Sequence, residues 1–333
     1  MFKNTTILIT GGTGSWGYEL VKKLLAAHPK EIRIFSRNEY AQVNMKRKFQ
    51  DNPYLKYMIG DVRDFEAVNE AAQNVDYIFH LSALKHVPIC EDQPSEALKT
   101  NVYGTENIIK ASLLQNVKKV IDVSTDKAVE PINFYGLTKA IGEKLIIQAN
   151  QLSSRTRFVC IRGGNVIGTN GSVIPFFKEK ITAHQTVPLT SKEMTRFFLT
   201  VSQAIDLLLY ASEKAIGGEI FVMKMKACRI VDLIKVMKRH FAAEDIAMKE
   251  IGIRPGEKLH EVLISDAESR NTYKYDENYH IILPPNYSDE LEKQYGKLPN
   301  VTFSRYQSND ELMRLDEIEQ ILIEANFLTS ALF

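Results

Sequence analysis

Tyr135 and Lys139 stand four residues apart, a spacing that puts both on one face of a helix. An ammonium beside a phenol lowers the phenol's pKa, so that a phenolate can take a hydroxyl proton during hydride transfer. The pair alone says little, because Tyr18/Lys22 and Tyr210/Lys214 share the spacing. Position separates them. Only Tyr135 follows an apolar run, residues 119–124, that reads as a buried strand and leads into Thr125, Asp126 and Lys127. Ligands of open parallel sheets bind at the carboxyl ends of the strands. Tyr135 and Lys139 are therefore the catalytic candidates, and the strand end with Thr125, Asp126 and Lys127 would face the cofactor beside them.

A second constellation lies near the start of the chain. Gly11, Gly14 and Gly17 follow the run 5–10 and open a helical pattern. Glycines so spaced permit a tight turn, close approach to a pyrophosphate and helix–sheet contact, and the helix N-terminus offers N–H groups to the phosphates. Thr13, Ser15 and Trp16 complete this dinucleotide loop. The next run, 32–36, leads into Ser36 and Arg37 with no acid at either position. An arginine fork suits a ribose 2′-phosphate and so selects NADP; Glu39 on the ribose hydroxyls would select NAD instead. Asp61 and Val62 end a third strand and suit the adenine. Leu81 and Ala83 end a fourth and suit the nicotinamide ribose.

Positioning these groups requires a sheet. Candidate strands 5–10, 32–36, 55–60, 77–82, 119–124 and 158–162 alternate with helical segments 16–27, 65–73, 94–115 and 135–151. That alternation predicts βαβ units and an α/β fold, a Rossmann-like doubly wound parallel sheet with helices on both faces. The rhythm changes after about residue 166. Loops surround Pro188 and Pro255, and a last helix is expected over 310–325. The expected division is a dinucleotide-binding domain, 1–165 with about 196–222, and a smaller, mostly C-terminal α/β substrate domain, 166–195 with 223–333.

With 42 basic and 41 acidic side chains there is no global field to gather nucleic acid or anionic lipid. No run approaches the roughly 18 apolar residues of a membrane span. Cys90, Cys160 and Cys228 are far apart and make neither a metal motif nor a disulfide framework. The expectation is a cytoplasmic protein with no metal, no membrane and no nucleic-acid partner.

Residues 10–17, the Tyr135/Lys139 pair and the Ser124-Thr125-Asp126 strand end resemble the extended short-chain dehydrogenases/reductases. Within these, segments 84–88, 124–128, 171–177, 194–197 and 254–261 are similar to the inverting UDP-N-acetylglucosamine 4,6-dehydratases of pseudaminic acid synthesis. The likeness runs from residue 3 to about 285. It implies that Tyr135 takes the sugar 4-hydroxyl proton while hydride passes to NADP, and that Asp126 protonates the departing 6-hydroxyl. Lys127 would take the carbon 5 proton, with its pKa lowered for the task; the competing role for it is a partner of Asp126 or of phosphate. Reprotonation on the opposite face would invert carbon 5.

The resemblance also implies substrate contacts. Lys85 would reach the cofactor and the sugar or diphosphate, Asn165 and the segment with Ser172, Val173 and Pro175 would cover the nucleotide, and Arg196 and Arg254 would hold the diphosphate. Thr195 and Glu257 flank those arginines in their motifs. Asn101 would support the cofactor site. Pairing through helices 94–115 and 135–151 would give a homodimer, or a hexamer built from it. One position departs from the family: the sixth strand ends Arg162-Gly163-Gly164-Asn165, where an aromatic ring is usual at 163. That motivates a different product, a 5,6-ene sugar from partial dehydration. The same fold and Tyr/Lys pair would also serve a UDP-sugar 4-epimerase, and the same scaffold could act without catalysis as an NADP-sensing regulator.

Overall fold

Strands Thr6–Thr10 (β1), Glu31–Ser36 (β2), Leu55–Ile59 (β3), Tyr77–His80 (β4), Lys119–Thr125 (β5) and Arg157–Gly163 (β6) pair in parallel in the order β3-β2-β1-β4-β5-β6. The computed structural model describes residues 1–168 and 173–328. Ile7, Leu8 and Ile9 of β1 are fully buried, because helices cover both faces of a doubly wound sheet. The strand order reverses between β1 and β4, which opens a crevice at their carboxyl ends.

The sheet continues beyond β6. Ile220–Met223 adds in parallel, then Tyr279–Ile282 and Thr272–Lys274 add antiparallel. Residues 272–282, expected in the smaller domain, thus complete the large sheet and share its core. A second apolar core lies under helices Val173–Thr182, Ile230–His240 and Leu315–Glu324. Ile230, Leu233, Ile234 and Met237 recur at helical spacing and fill it.

Three elements differ from the sequence reading. The expected helix 94–115 breaks into Pro94–Leu98, a π-turn Lys99–Tyr103 and Gly104–Leu114. A π-turn inserts one residue and redirects side chains, often at a working site. A helix Glu39–Lys48 was not foreseen: it buries only Gln42 and Met45 and has little apolar periodicity, but Asn38 caps it through the Ala41 N–H at 2.9 Å. The last helix starts late, at Leu315, because residues 311–313 are tied to Ala227 by backbone bonds.

Candidate active site

The crevice holds a cavity of about 510 Å³ at the carboxyl ends of β1, β2, β4 and β5. Gly11, Thr13, Gly14, Ser15 and Trp16 form one wall. Ser36, Arg37, Asp61 and Val62 form one end, and Leu81, Ala83 and Lys85 form the floor beside β4. Thr125, Lys127, Tyr135, Lys139 and Asn165 close the other end. The loop fits a dinucleotide phosphate. Gly14, the N-cap of helix Ser15–Leu25, has no side chain to satisfy the first turn, and no acidic side chain sits there. Gly17 is not in the cavity wall; a Cβ on it would lie 2.0 Å from the Gly12 carbonyl oxygen, so it seats the helix against the loop.

Tyr135 and Lys139 lie on helix Phe134–Ala149, capped by Asn133 through the Gly136 N–H at 2.8 Å. The helix approaches the strand end closely: a Cβ on Gly136 would meet the Lys127 carbonyl oxygen at 2.2 Å. Lys139 Nζ is buried and lies 3.3 Å from Oδ2 of the fully buried Asp122. Burial raises the Tyr135 phenol above its ordinary pKa, and the Lys139 and Lys127 ammoniums and the Thr125 hydroxyl pull it back. The expected lowering by Lys139 is therefore present but smaller than the cost of burial.

Asn101 does not face the cavity. From the π-turn its Oδ1 accepts from the Leu84 N–H at 2.8 Å, and its Nδ2 donates to the Leu84 carbonyl and the Thr138 hydroxyl, each at 2.9 Å. It ties the exit of β4 to the helix that carries Tyr135 and Lys139 and is not among the residues lining the cavity.

Asp126 and Lys127 occupy a one-turn helix directly after β5. Lys127 Nζ donates to Asp126 Oδ1 at 3.0 Å and to Asn165 Oδ1 at 3.2 Å, and lies 3.4 Å from Glu261 Oε1. The expected lowering of the Lys127 pKa is overturned in this state. Two carboxylates outweigh burial and hold the ammonium above its ordinary value. Desolvation raises the Asp126 carboxyl, whereas Lys127, Arg196 and Lys258 hold Glu261 below its ordinary value even though burial opposes them. Glu261 was missed as a site residue, although it ends the 254–261 motif.

A second hollow of about 380 Å³ is lined by Val173, Phe176, Met194, Arg196, Arg254 and Glu257, among others. Arg254 is exposed, with only a loose pair to Glu257 at 3.9 Å. Arg196 is largely occupied: its guanidinium donates to the carbonyls of Thr195, Lys258 and Leu259. Thr195 is turned away from both hollows, since its hydroxyl bonds His260 Nδ1 at 2.8 Å and Ser308 Oγ at 2.7 Å. Pro175 lies on helix Val173–Thr182 outside both linings. Ser172 lies outside the described residues. At Gly163, the departure from the family pattern, a Cβ would point at Met223 Sδ, 3.0 Å away. A larger side chain at 163 would therefore have to displace Met223, and Gly163 does not line the cavity.

A doubly wound sheet with a glycine cradle under a Tyr/Lys helix defines an extended short-chain dehydrogenase/reductase. The chain belongs to the family described as polysaccharide biosynthesis protein, whose model matches residues 7–283. It is 44% identical to a UDP-N-acetylglucosamine 4,6-dehydratase (inverting) of Campylobacter jejuni, over 85% of this chain and 84% of that one. It is 39% identical to a UDP-glucose 4-epimerase of Rickettsia bellii, over 100% of this chain and 99% of that one. The solved structure of Pen from Bacillus thuringiensis superposes with a TM-score of 0.90 at 37% identity, covering 98% of this chain and 99% of that one.

Proposed function

We propose that the protein is a hydro-lyase that removes water across carbons 5 and 6 of the sugar of UDP-N-acetylglucosamine, with a nicotinamide cofactor recycled within each turnover, for pseudaminic-acid-type sugar synthesis. One observation carries this reading. Lys127 lines the same end of the cavity as Tyr135 and Lys139, and its Nζ donates to the fully buried Asp126 behind it, so that an acid–amine pair stands beside the Tyr/Lys pair. The C. jejuni relative's name supports the substrate and the reaction.

The bound nicotinamide would supply the removal of a hydride at carbon 4 and its later return. Tyr135 takes the 4-hydroxyl proton, helped by the two ammoniums beside it. The carbon 4 ketone then acidifies the proton on carbon 5. Lys127 rests as an ammonium, so it first passes a proton to Asp126, 3.0 Å away. The neutral amine takes the carbon 5 proton, that C–H pair forms the carbon 5–carbon 6 double bond, and Asp126 protonates the departing 6-hydroxyl as water. The wall residues Ser36 and Arg37 favour NADP over NAD, and Glu39 is not among the residues of that wall. Arg254 is the better candidate for the diphosphate, because Arg196 is engaged with backbone carbonyls.

Leu137 and Ile141 are 46% and 44% exposed one helical turn apart on the catalytic helix, and with exposed Tyr103 they offer an apolar face for a second copy. We assign a homodimer through this face, in the cytoplasm, where Cys90, Cys160 and Cys228 would stay reduced. Among the described residues no helix is long and apolar enough to cross a membrane.

A UDP-sugar 4-epimerase is the second reading, favoured by the R. bellii relative's match over the whole chain. It needs Tyr135 and Lys139 but no acid–base pair at carbons 5 and 6. Mass spectrometry of the product separates them. Loss of one water from UDP-N-acetylglucosamine supports the dehydratase; an unchanged mass with a new sugar epimer sinks it.

A further inference from the structure

The Asp126–Lys127 pair has a third member that comes from the far half of the chain. Glu261 is 2% exposed, and its Oε1 lies 3.4 Å from Lys127 Nζ and 3.6 Å from Arg196 Nε. Its Oε2 is buried with no hydrogen-bond partner among the described residues, and so is Asp126 Oδ2. The main chain of Glu261 is fixed on both sides by one residue of the tail: the Glu261 N–H donates to Ser308 Oγ at 2.9 Å, and the Ser308 N–H donates to the Glu261 carbonyl at 2.8 Å. A carboxylate held this firmly against a buried amine has a chemical consequence.

We propose that Glu261 is a positioning residue for the elimination step: it holds Lys127 Nζ between two carboxylates, so that Lys127 exchanges its proton with Asp126 and Glu261 remains the fixed counter-ion. This rests on the dehydratase reading and assigns the acid within it. Three cations, Lys127, Arg196 and Lys258, face Glu261 and hold it below its ordinary value, whereas desolvation raises Asp126 even though Lys127 is bonded to it and Lys258 also acts on it. Lys258 is itself shared with Asp126 and Glu130. His260 turns away to Thr195, and Tyr135 faces Asp126 and Lys127 from the helix. In the step, the Lys127 N–H bond breaks as the Asp126 O–H bond forms. Lys127 then gains the carbon 5 proton, and Asp126 loses its proton to the departing oxygen. The pair ends as it began, with Lys127 protonated and Asp126 ionised. A nearby anion strengthens both groups' hold on protons, so Glu261 makes the neutral Lys127 the stronger base and helps Asp126 hold the proton received from Lys127 until the oxygen departs.

The test compares wild type, Glu261→Gln and Glu261→Asp with UDP-N-acetylglucosamine in heavy water. Deuterium uptake at carbon 5 and the kcat/KM pH profile are the readouts. Glu261→Gln should slow carbon 5 exchange about 100-fold, the scale of one general-base contribution, while reduced nicotinamide accumulates because carbon 4 oxidation is spared. Both limbs of the profile should move to lower pH, and Glu261→Asp should return them towards wild type. Slowed turnover with unmoved limbs, or unchanged exchange in Glu261→Gln, would overturn the proposal. A wild-type protein inert towards the sugar would sink the dehydratase reading instead. In that event a thermal-unfolding cycle of Glu261→Gln with Lys127→Met still decides the contact: non-additive losses uphold the Glu261–Lys127 coupling, and additive losses overturn the proposal.

Discussion

Replacing Lys127 with methionine tests the electrostatics of the site without any substrate. The ammonium lies 3.0 Å from Asp126 Oδ1 and 3.4 Å from Glu261 Oε1, and the two carboxylates are almost fully buried. Removing one partner of a buried pair costs about 3–5 kcal/mol. The lower end applies, because Asp126 can take up a proton and Glu261 keeps Arg196 beside it at 3.6 Å. Unfolding entropy of about 2 cal/mol/K per residue, over 333 residues, turns about 3 kcal/mol into a drop in Tm of about 4 °C. The loss must also depend on pH. Burial already raises the Asp126 carboxyl in the fold, and without Lys127 it rises further. A carboxyl whose folded pKa exceeds its unfolded value makes stability fall as pH rises through that window. The gap between variant and wild type should therefore be widest near pH 8 and shrink towards about pH 5. Scanning calorimetry at both pH values measures it. A gap of equal size at both, or none at either, would refute the reasoning that Lys127 neutralises buried carboxylates.

Other outcomes follow from single contacts. Arg37→Ala should weaken NADP binding about 10-fold or more, the value of one lost charge-assisted bond, and leave NAD binding nearly unchanged in a fluorescence titration. Asn101→Ala strands the Leu84 N–H, while the Leu84 carbonyl and the Thr138 hydroxyl lose one partner each and keep Cys90 and Tyr135; it should cost about 1–3 kcal/mol in denaturant unfolding and lower kcat more than it raises KM. Leu137→Glu should turn a dimer into a monomer by light scattering, since a charge would replace an exposed apolar side chain at the centre of the proposed interface.

Much of the cofactor half was legible in the sequence because its signals are local. The glycine spacing, the run Ile7-Leu8-Ile9 and the Tyr135/Lys139 pair each lie within a few residues, and one strand–turn–helix period governs them. Asn101 was named in sequence only through the resemblance, because a π-turn has no sequence period to betray it, and its bonds to Leu84 and Thr138 show only in the folded chain. The sign at Lys127 was misread for a different reason. Asp126 beside it was visible, but the second carboxylate comes from Glu261, and no local pattern reveals that Glu261 and Lys127 meet. The tail resisted in the same way: Tyr306–Gln307 pairs with Val262–Ile264, and Ser308 grips Glu261, contacts that only the folded chain displays. The missing ring at 163 was a fair alarm in sequence, yet a larger side chain there would have to displace Met223 of the neighbouring strand.

The most direct test of the central claim is the proton NMR spectrum of UDP-N-acetylglucosamine incubated with the purified protein and NADP in heavy water. An inverting dehydratase gives a new methyl signal that appears as a singlet because carbon 5 carries deuterium, with ring couplings of the inverted centre. Vinyl protons without a methyl signal would mean that the reaction stops at the 5,6-ene, keeping the Asp126–Lys127 elimination and contradicting the inverted product. A spectrum showing only an epimer at carbon 4, with carbons 5 and 6 untouched, would contradict the account itself.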